Sequence, residues 1–181
     1  GDIQRAWRDL DAISPHLARA VVAAEDARFC DHWGIDAQAV RQALEERARG
    51  RIRGASTITQ QVAKNAFLWP APSWTRKALE AGVALLIEAF WSKRRILEVY
   101  LNIAEMGEGV FGAEAAARRW FGKSAEALTL AEAARIAAIL PAPRERSATR
   151  PRDFTRRRAR AIAEGARTIA ADGRDGCLDP P

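Results

Sequence analysis

The sequence predicts an all-α protein that forms a single domain. Almost every segment carries apolar residues at helical spacing, and most of these segments begin with a residue type that caps helices. No segment shows the apolar-polar alternation of a strand, and no internal repeat is visible. A chain of 181 residues that is 48% hydrophobic can bury one sizeable core, so we expect one domain over residues 1–181.

The first half of the chain is predicted to form four helices. They begin at the capping residues Ser14, Asp36, Thr57 and Ser73. The first helix carries two adjacent carboxylates, Glu25 and Asp26, near its end, where buried charge is costly unless it has a partner or a task. The fourth is apolar on most sides, which predicts a central helix whose charged first turns face a cleft.

Four further helices are predicted in the second half of the chain. They begin near Ser92, Ala113, Thr129 and Asp153. Three glycines, at positions 107, 109 and 112, break the chain before the second of them. The last helix spans about residues 153–173 and is rich in arginine, a pattern that favours solvated charge, with phosphate or lipid contact as the alternative.

Charge and cysteine content limit the possible partners. The chain has 29 Lys and Arg against 23 Asp and Glu, an excess that suits nucleic acid, a phospholipid surface or a phosphorylated substrate. Cys30 and Cys177 could form one disulfide or remain free, and their spacing excludes a metal-finger framework. For Cys30, a small packed residue is favoured over a nucleophile. The most apolar window, residues 78–91, is too short to span a bilayer.

Three groups of polar residues are candidates for chemistry. They are Glu25 with Asp26, the stripe Thr57, Gln61 and Lys64 on one helix face, and the cluster Arg76, Lys77 and Glu80. Transfer of a sugar from a diphosphate needs a base for the acceptor and cations or a metal for the departing pyrophosphate. One carboxylate base and a cation cluster with its own carboxylate meet both needs.

Five motifs follow one another in order along the chain. They are E-D-x-x-F-x-x-H-x-G from Glu25, G-A-S-T-I-T-Q-Q-V-A-K-N from Gly54, R-K-x-x-E from Arg76, K-R-R-I-L-E-V-Y-L-N from Lys93 and A-A-A-R-R-W-F-G from Ala115. Over about residues 21–143 the chain therefore resembles the peptidoglycan glycosyltransferase family. This family comprises the transglycosylase domain of class A penicillin-binding proteins and its monofunctional form. With no transpeptidase domain in the sequence, we expect the monofunctional kind.

The resemblance implies a lysozyme-like fold with a large head lobe and a smaller jaw that touches the membrane. It also implies polymerisation of peptidoglycan from lipid II, with the growing glycan on undecaprenyl pyrophosphate as donor. The GlcNAc 4-hydroxyl of an incoming lipid II would attack with inversion, giving a β-1,4 link. The expected location is the periplasmic side of the bacterial cytoplasmic membrane, with an N-terminal transmembrane anchor that this sequence does not show. Trp69 and Trp74 are candidates for the jaw.

The family's functional residues map onto this sequence position by position. Glu25 matches the base, and Glu80 matches a second carboxylate that serves the donor pyrophosphate, with or through Mg²⁺ or Mn²⁺; no organic cofactor is expected. The resemblance assigns phosphate contacts to Lys64, Arg76 and Lys77, the polar lining of the donor cleft to Thr57, Gln60 and Gln61, and support of the base to Asp26, Phe29 and His32. Glu98 and Asn102 match the fourth motif, where mainly structural work is expected.

Several partners and alternatives accompany this interpretation. Moenomycin-type inhibitors and cell-wall synthesis or divisome proteins are implied as partners, and nucleic acid is not. A glycan-cleaving lysozyme or lytic transglycosylase would share the fold type and a catalytic glutamate, but it would not account for the cation cluster. A basic helical module that binds nucleic acid and a non-catalytic cell-wall scaffold are the alternatives from other classes.

Overall fold

A computed structural model describes residues 4–50, 54–69 and 73–180. Within these residues the helices are α1 Pro15–Glu25, α2 Ala37–Ala48, α3 Ile58–Phe67, α4 Trp74–Phe90, α5 Lys93–Ile103, α6 Ala113–Phe121, α7 Leu130–Ile139 and α8 Asp153–Ala171. Short 3₁₀ turns occupy Leu10–Ala12, Ala125–Ala127 and Gly176–Leu178, and two strands, β1 and β2, occupy Gln4–Arg5 and Val110–Phe111. This mostly helical architecture confirms the predicted fold class.

Helix caps explain why most predicted starts are right. The side chains of Asp36, Thr57, Ser73, Ser92 and Thr129 each accept a hydrogen bond from the backbone amide three residues later. Helix α1 also begins as predicted, with Ser14 at the cap position and Pro15 as its first residue, although the Ser14 hydroxyl donates to the Leu128 carbonyl and makes no cap bond. One start differs from the prediction. The cap position of α8 is Arg152, so Asp153 is the first helical residue.

The prediction that the chain has no strand is wrong, because the structure contains one short pair of strands. Strands β1 and β2 run parallel, with Gln4 opposite Val110 and Arg5 opposite Phe111. A strand of two residues has no alternation to detect, so periodicity could not find it. The pair holds the N-terminal segment against the glycine-rich connection between α5 and α6.

Residues of the fourth motif hold the same N-terminal segment. The Asn102 side chain accepts from the Arg8 amide and donates to the Arg8 carbonyl, both at 2.8 Å. Glu98 accepts from the Leu10 amide at 2.9 Å. Gly112 has φ +85°, and a Cβ there would lie 2.8 Å from the Asn102 carbonyl oxygen, so only glycine fits this close approach. These contacts are structural, as the motif position implied.

The core brings distant parts of the sequence together. Helices α1, α7 and α8 pack on one another, while α3 packs against α4 and α5. Large buried side chains include Leu17, Ile58, Leu97, Tyr100, Ile136 and Ile169. Because α8 packs directly on α1, the arginine-rich segment is part of the folded domain and contacts the helix that carries Glu25.

The predicted central position of α4 is wrong. This helix buries Glu80, Ala84 and Ile87, but Leu79, Leu86 and Phe90 are 48%, 60% and 81% exposed. Composition alone does not say whether an apolar helix face meets a protein core or another apolar medium. In the part of the chain that the structure describes, no helix combines the length and the apolar character needed to cross a membrane.

Cys30 and Cys177 form a disulfide, which answers the question that the sequence left open. The bond ties the segment after α1 to the 3₁₀ turn after α8. Two polar contacts support the same junction, since Arg19 Nε donates to Asp175 Oδ2 at 2.6 Å and Arg94 Nη1 donates to the Leu178 carbonyl at 2.7 Å. With both sulfurs bonded, Cys30 is not a nucleophile in this state.

We expect loss of the disulfide to destabilise the fold. The cysteines are 147 residues apart, and chain-entropy arguments give about 5 kcal/mol for closing so long a loop. Urea unfolding of the oxidised protein, the reduced protein and a Cys30→Ser/Cys177→Ser variant measures this difference. The double variant, which reductant should not affect, is the control. Equal unfolding midpoints for oxidised and reduced protein would contradict the expectation.

Candidate active site

A cavity of about 790 Å³ opens beside the C-terminal end of α1. Five of the residues singled out in the sequence line it: Glu25, Asp26, Thr57, Gln61 and Lys64. Further charged lining residues are Arg28, Asp36 and Arg158. The first two motifs therefore meet at one cavity, which is of the size that ligand sites usually have.

Glu25 is the last residue of α1, and both of its carboxylate oxygens have neighbours. Gln61 Nε2 donates to Oε2 at 3.0 Å. Arg158 Nη2 lies 3.5 Å from Oε1. The Glu25 side chain is 15% exposed, so it is partly withdrawn from water but still reaches the cavity. A neutral donor therefore contacts one oxygen of Glu25, and a cation lies near the other.

Tyr100 orients the amide that holds Glu25. Its hydroxyl donates to Gln61 Oε1 at 3.4 Å, so the order of hydrogen bonds is Tyr100 to Gln61 to Glu25. Burial raises the pKa of the Tyr100 hydroxyl well above its ordinary value, and the negative charge of Glu25 raises it further. Tyr100 therefore remains a protonated donor at neutral pH and fixes which end of the Gln61 amide faces Glu25.

Asp26, the residue after Glu25, joins three segments of the chain. Its Oδ1 accepts from His32 Nε2 at 2.8 Å, and its Oδ2 accepts from the Ile58 amide at 3.0 Å. The Ile58 amide belongs to the first residue of α3, where the helix dipole favours a negative charge. Asp26 is buried, and these contacts compensate the cost of burying its charge. Its position supports a structural role next to Glu25.

Thr57 makes a second connection between the first motif and α3. Its hydroxyl donates to the Gly34 carbonyl at 2.6 Å and also accepts from the Gln60 amide as the helix cap. Gly34 itself, at φ +78°, lies so close to α4 that a Cβ would be 3.2 Å from the Ala84 carbonyl oxygen. The second motif is thus fixed to the first by the Thr57 hydroxyl and by the Ile58 amide.

The third motif forms a charged cluster at the start of α4. Glu80 is 3% exposed; its Oε1 accepts from Lys77 Nζ, and its Oε2 lies 3.6 Å from Arg76 Nη1. Lys77 Nζ also donates to Ser56 Oγ at 3.1 Å, and Ser56 lines the cavity. The cluster is therefore connected to the edge of the cavity, although none of its three members is part of the cavity wall.

Three other residues singled out in the sequence also lie outside the cavity wall. Phe29 is fully buried, with Lys93 Nζ 4.5 Å from its ring centre. His32 contacts Asp26, and the Gln60 side chain accepts from the Thr57 amide in the capping box at the start of α3. These contacts place the three residues behind the cavity, where they hold the first two motifs together.

The structure limits where a metal could bind. Glu80 offers one carboxylate, and cations already face both of its oxygens, so it does not fit a resident metal site. Among the described residues, Asp26, His32 and Asp36 bring possible ligand atoms within 4.8 Å of one another. Their oxygens, however, already accept from backbone amides and His32, and Arg28 Nε lies 3.9 Å from Asp36. This group is better explained as an internal hydrogen-bond network.

Arg158 is the functional candidate that the sequence reasoning missed. It was counted among the solvated arginines of the last helix, yet it lines the cavity and approaches Glu25. The residue lies outside all five motifs, and the contact joins positions 133 residues apart, so no local pattern could indicate it.

Comparison with known proteins places the whole chain in one group. The family model described as Transglycosylase matches residues 1–167. A Jannaschia sp. (strain CCS1) protein is 56% identical over 178 residues, covering 98% of this chain and 73% of its own length. A Rhodospirillum centenum protein is 58% identical over 180 residues (98% and 78%), and one from Caulobacter vibrioides is 49% identical over 177 residues (97% and 77%). Each is named biosynthetic peptidoglycan transglycosylase.

Proposed function

This chain belongs to the transglycosylase family and is a peptidoglycan glycosyltransferase, and from that premise we propose how it polymerises glycan chains. The family implies lipid II and the growing glycan as substrates. In the proposed reaction, the glycan on undecaprenyl pyrophosphate is the donor and the GlcNAc 4-hydroxyl of an incoming lipid II is the acceptor. The carboxylate of Glu25 on the cavity wall is the observation that carries this proposal.

Glu25 is the proposed base. As the acceptor hydroxyl attacks the anomeric carbon of the donor, its proton passes to the Glu25 carboxylate and the bond to the pyrophosphate breaks. The configuration inverts, and the product is a β-1,4 link. Gln61 supports this role because its hydrogen bond to Oε2 fixes the carboxylate and leaves Oε1 to accept the proton. Since pyrophosphate leaves as an anion, no general acid is required.

The charged cluster is the proposed site for the departing pyrophosphate. Lys77 and Arg76 are held by Glu80, and Lys77 contacts Ser56 at the edge of the cavity. Lys64 lines the cavity and has no acidic partner among the described residues. Lys64 on the cavity wall and the two cations near its edge would stabilise the negative charge that develops on the leaving group. In this arrangement Glu80 is a positioning carboxylate for the two cations of α4.

A divalent cation, Mg²⁺ or Mn²⁺, is proposed to arrive with the donor pyrophosphate and not to reside in the protein. Mg²⁺ in phosphoryl sites is commonly held by one or two carboxylates together with substrate phosphates. When the pyrophosphate draws Lys77 and Arg76 away from Glu80, the freed carboxylate would be the protein ligand of the ion, which would add positive charge next to the pyrophosphate.

The exposed apolar residues of α4 are the proposed membrane contact. Peptidoglycan synthesis implies membrane-associated action on the periplasmic side. Leu79, Leu86 and Phe90 recur at helical spacing on one face of α4, and the ring of Phe67 packs against Trp91 just beyond the helix. Together with the exposed Trp69 and Trp74, they could enter the lipid interface and form the jaw. The substrate carries its own lipid, so this contact would bring protein and substrate to the same surface.

The alternative functions account for fewer of these observations. A glycan-cleaving enzyme would not account for Lys64 on the cavity wall or for Arg76 and Lys77 near its edge, because cleavage of a neutral glycan releases no pyrophosphate. Nucleic-acid binding would leave the buried arrangement around Glu25 unexplained, and so would a non-catalytic scaffold.

Moenomycin-type inhibitors are proposed to compete for the cavity. Contacts with cell-wall synthesis or divisome proteins are a proposal to which no residue is assigned.

Glu25→Gln should abolish lipid II polymerisation. The amide keeps the shape of the side chain but does not accept a proton, and loss of a general base costs about 10²–10⁴-fold in rate. The measurement is the initial rate of glycan formation from labelled lipid II, with a moenomycin-type inhibitor as the blank. Glu126→Gln, an exposed glutamate away from the cavity, is the matched control. A Glu25→Gln rate close to that of wild type would remove Glu25 from the mechanism.

Glu80→Gln should make polymerisation depend more strongly on the divalent cation. The variant removes the proposed ligand and the partner of both cations, so we expect a rate about 10- to 100-fold lower at limiting Mg²⁺, with partial recovery at high Mg²⁺. Rates are measured across a Mg²⁺ titration and in the presence of a chelator. If wild type polymerises equally fast with the chelator, the proposed cation is wrong.

Leu86→Asp/Phe90→Asp should weaken binding to lipid vesicles. Each large apolar side chain that enters the interface contributes about 1.5–3 kcal/mol, so the pair should cost at least about 100-fold in affinity. Sedimentation with anionic phospholipid vesicles measures this effect. The control is Phe154→Asp on α8, where a phenylalanine is 58% exposed and lies outside the proposed contact. Equal loss in both variants would argue against α4 as the specific contact.

A further inference from the structure

Arg158 lies against the end of α1 and contacts it at two points. Its Nη2 donates to the Ala24 carbonyl at 3.4 Å and lies 3.5 Å from Glu25 Oε1. Its Nε is buried and has no hydrogen-bond partner in the part of the chain that the structure describes. The guanidinium therefore faces two negative groups at once: the carbonyl end of a helix and the carboxylate of Glu25.

The packing of α8 fixes the position of this guanidinium. The helix buries Ala159 next to Arg158, and it also buries Ile162 and Ile169. Gly165 allows the close contact with α1, because a Cβ there would lie 3.2 Å from the Ala23 Cβ. Arg158 thus extends from a helix that is held against the helix carrying Glu25, as a precisely placed group requires.

The other arginines of α8 do not share this arrangement. Arg156 pairs with Asp153, and Arg167 pairs with Glu164, each within a single turn of α8. Arg157 and Arg160 are exposed. Among the described residues of this helix, Arg158 is the arginine that reaches the cavity beside Glu25.

The two oxygens of Glu25 are held in different ways. Oε2 receives a hydrogen bond from Gln61 at 3.0 Å, whereas Oε1 has a charge contact with Arg158 at 3.5 Å. A contact of that length orients the carboxylate but leaves its lone pairs available. A hydrogen bond as short as the one to Gln61 would compete with the proton that a base must accept.

On the premise that Glu25 is the base, we propose that Arg158 is its positioning residue. Arg158 holds the carboxylate so that Oε1 accepts the proton of the acceptor hydroxyl, and it does so by charge and orientation without taking part in proton transfer. The last helix thereby belongs to the active site, although it lies outside the five motifs. Because the guanidinium acts through Glu25, its loss should lower kcat with little effect on KM.

The test compares Arg158→Ala, Arg158→Lys and the control Arg157→Ala in lipid II polymerisation. We expect Arg158→Ala to lower kcat about 10- to 100-fold while KM changes less than about threefold, as misplacement of a catalytic group does. Arg158→Lys should recover part of the rate, because an ammonium restores the charge but not the planar contact. Added guanidinium at millimolar concentration should raise the rate of Arg158→Ala but not that of Glu25→Gln. Arg157→Ala should keep the wild-type kcat.

Three results would overturn the proposal. The first is a wild-type kcat in Arg158→Ala, and the second is a loss that neither lysine nor guanidinium recovers. The third is a rise in KM at constant kcat, which would mean that Arg158 binds substrate directly. Thermal unfolding is measured for each variant; if Arg158→Ala does not fold, the kcat of the folded Arg158→Lys variant decides, and a wild-type value there overturns the proposal. Absence of polymerisation by the wild-type protein would instead contradict the proposed function itself.

Discussion

The Asp26 carboxylate is the constraint on which the rest of the site depends. It accepts a hydrogen bond from the first amide of α3 and another from His32, so the end of α1 and the start of α3 meet at one side chain. Glu25 precedes Asp26, and Gln61 follows Ile58 by three residues. Asp26 fixes the two helix ends, and Gln61, about one turn into α3, then donates its hydrogen bond to Glu25. The first two motifs are thus two halves of one junction.

Carboxylates paired with cations occur both on the cavity wall and near its edge. Glu25 has Arg158 as its cation, and Glu80 has Lys77 and Arg76. In the first pair the carboxylate faces the cavity and the guanidinium lies beside it; in the second the carboxylate is buried, and Lys77 is the more exposed of its two cations. In the proposed mechanism, the same type of ion pair would serve proton acceptance at Glu25 and anion binding at Lys77 and Arg76, depending on which partner is exposed.

The sequence predicted most features that depend on neighbouring residues, such as helix starts, and few of the contacts between distant parts of the chain. Helix starts such as Thr57 and Thr129 were predictable because a capping box is a pattern of four consecutive residues. The family resemblance assigned Glu25 and Gln61 to one site, but it did not predict the hydrogen bond between them. The Arg158 contact and the disulfide join residues more than 130 positions apart, and no spacing rule applies to them. The exposure of α4 was missed because an apolar face does not identify the medium that covers it.

The position of Cys177 near the end of the chain also determines how late in protein synthesis the disulfide can form. Cys30 lies in the segment that carries Asp26 and His32, but its partner is 147 residues further along the chain. At ribosomal rates of roughly 5–20 residues per second, Cys177 follows Cys30 out of the ribosome after roughly 7–30 s. The helix that carries Arg158 is synthesised in that same interval. The disulfide of Cys30 therefore cannot form until nearly all the residues that surround Glu25 have been synthesised. Until then, Cys30 is an unpaired thiol in the segment that follows Glu25.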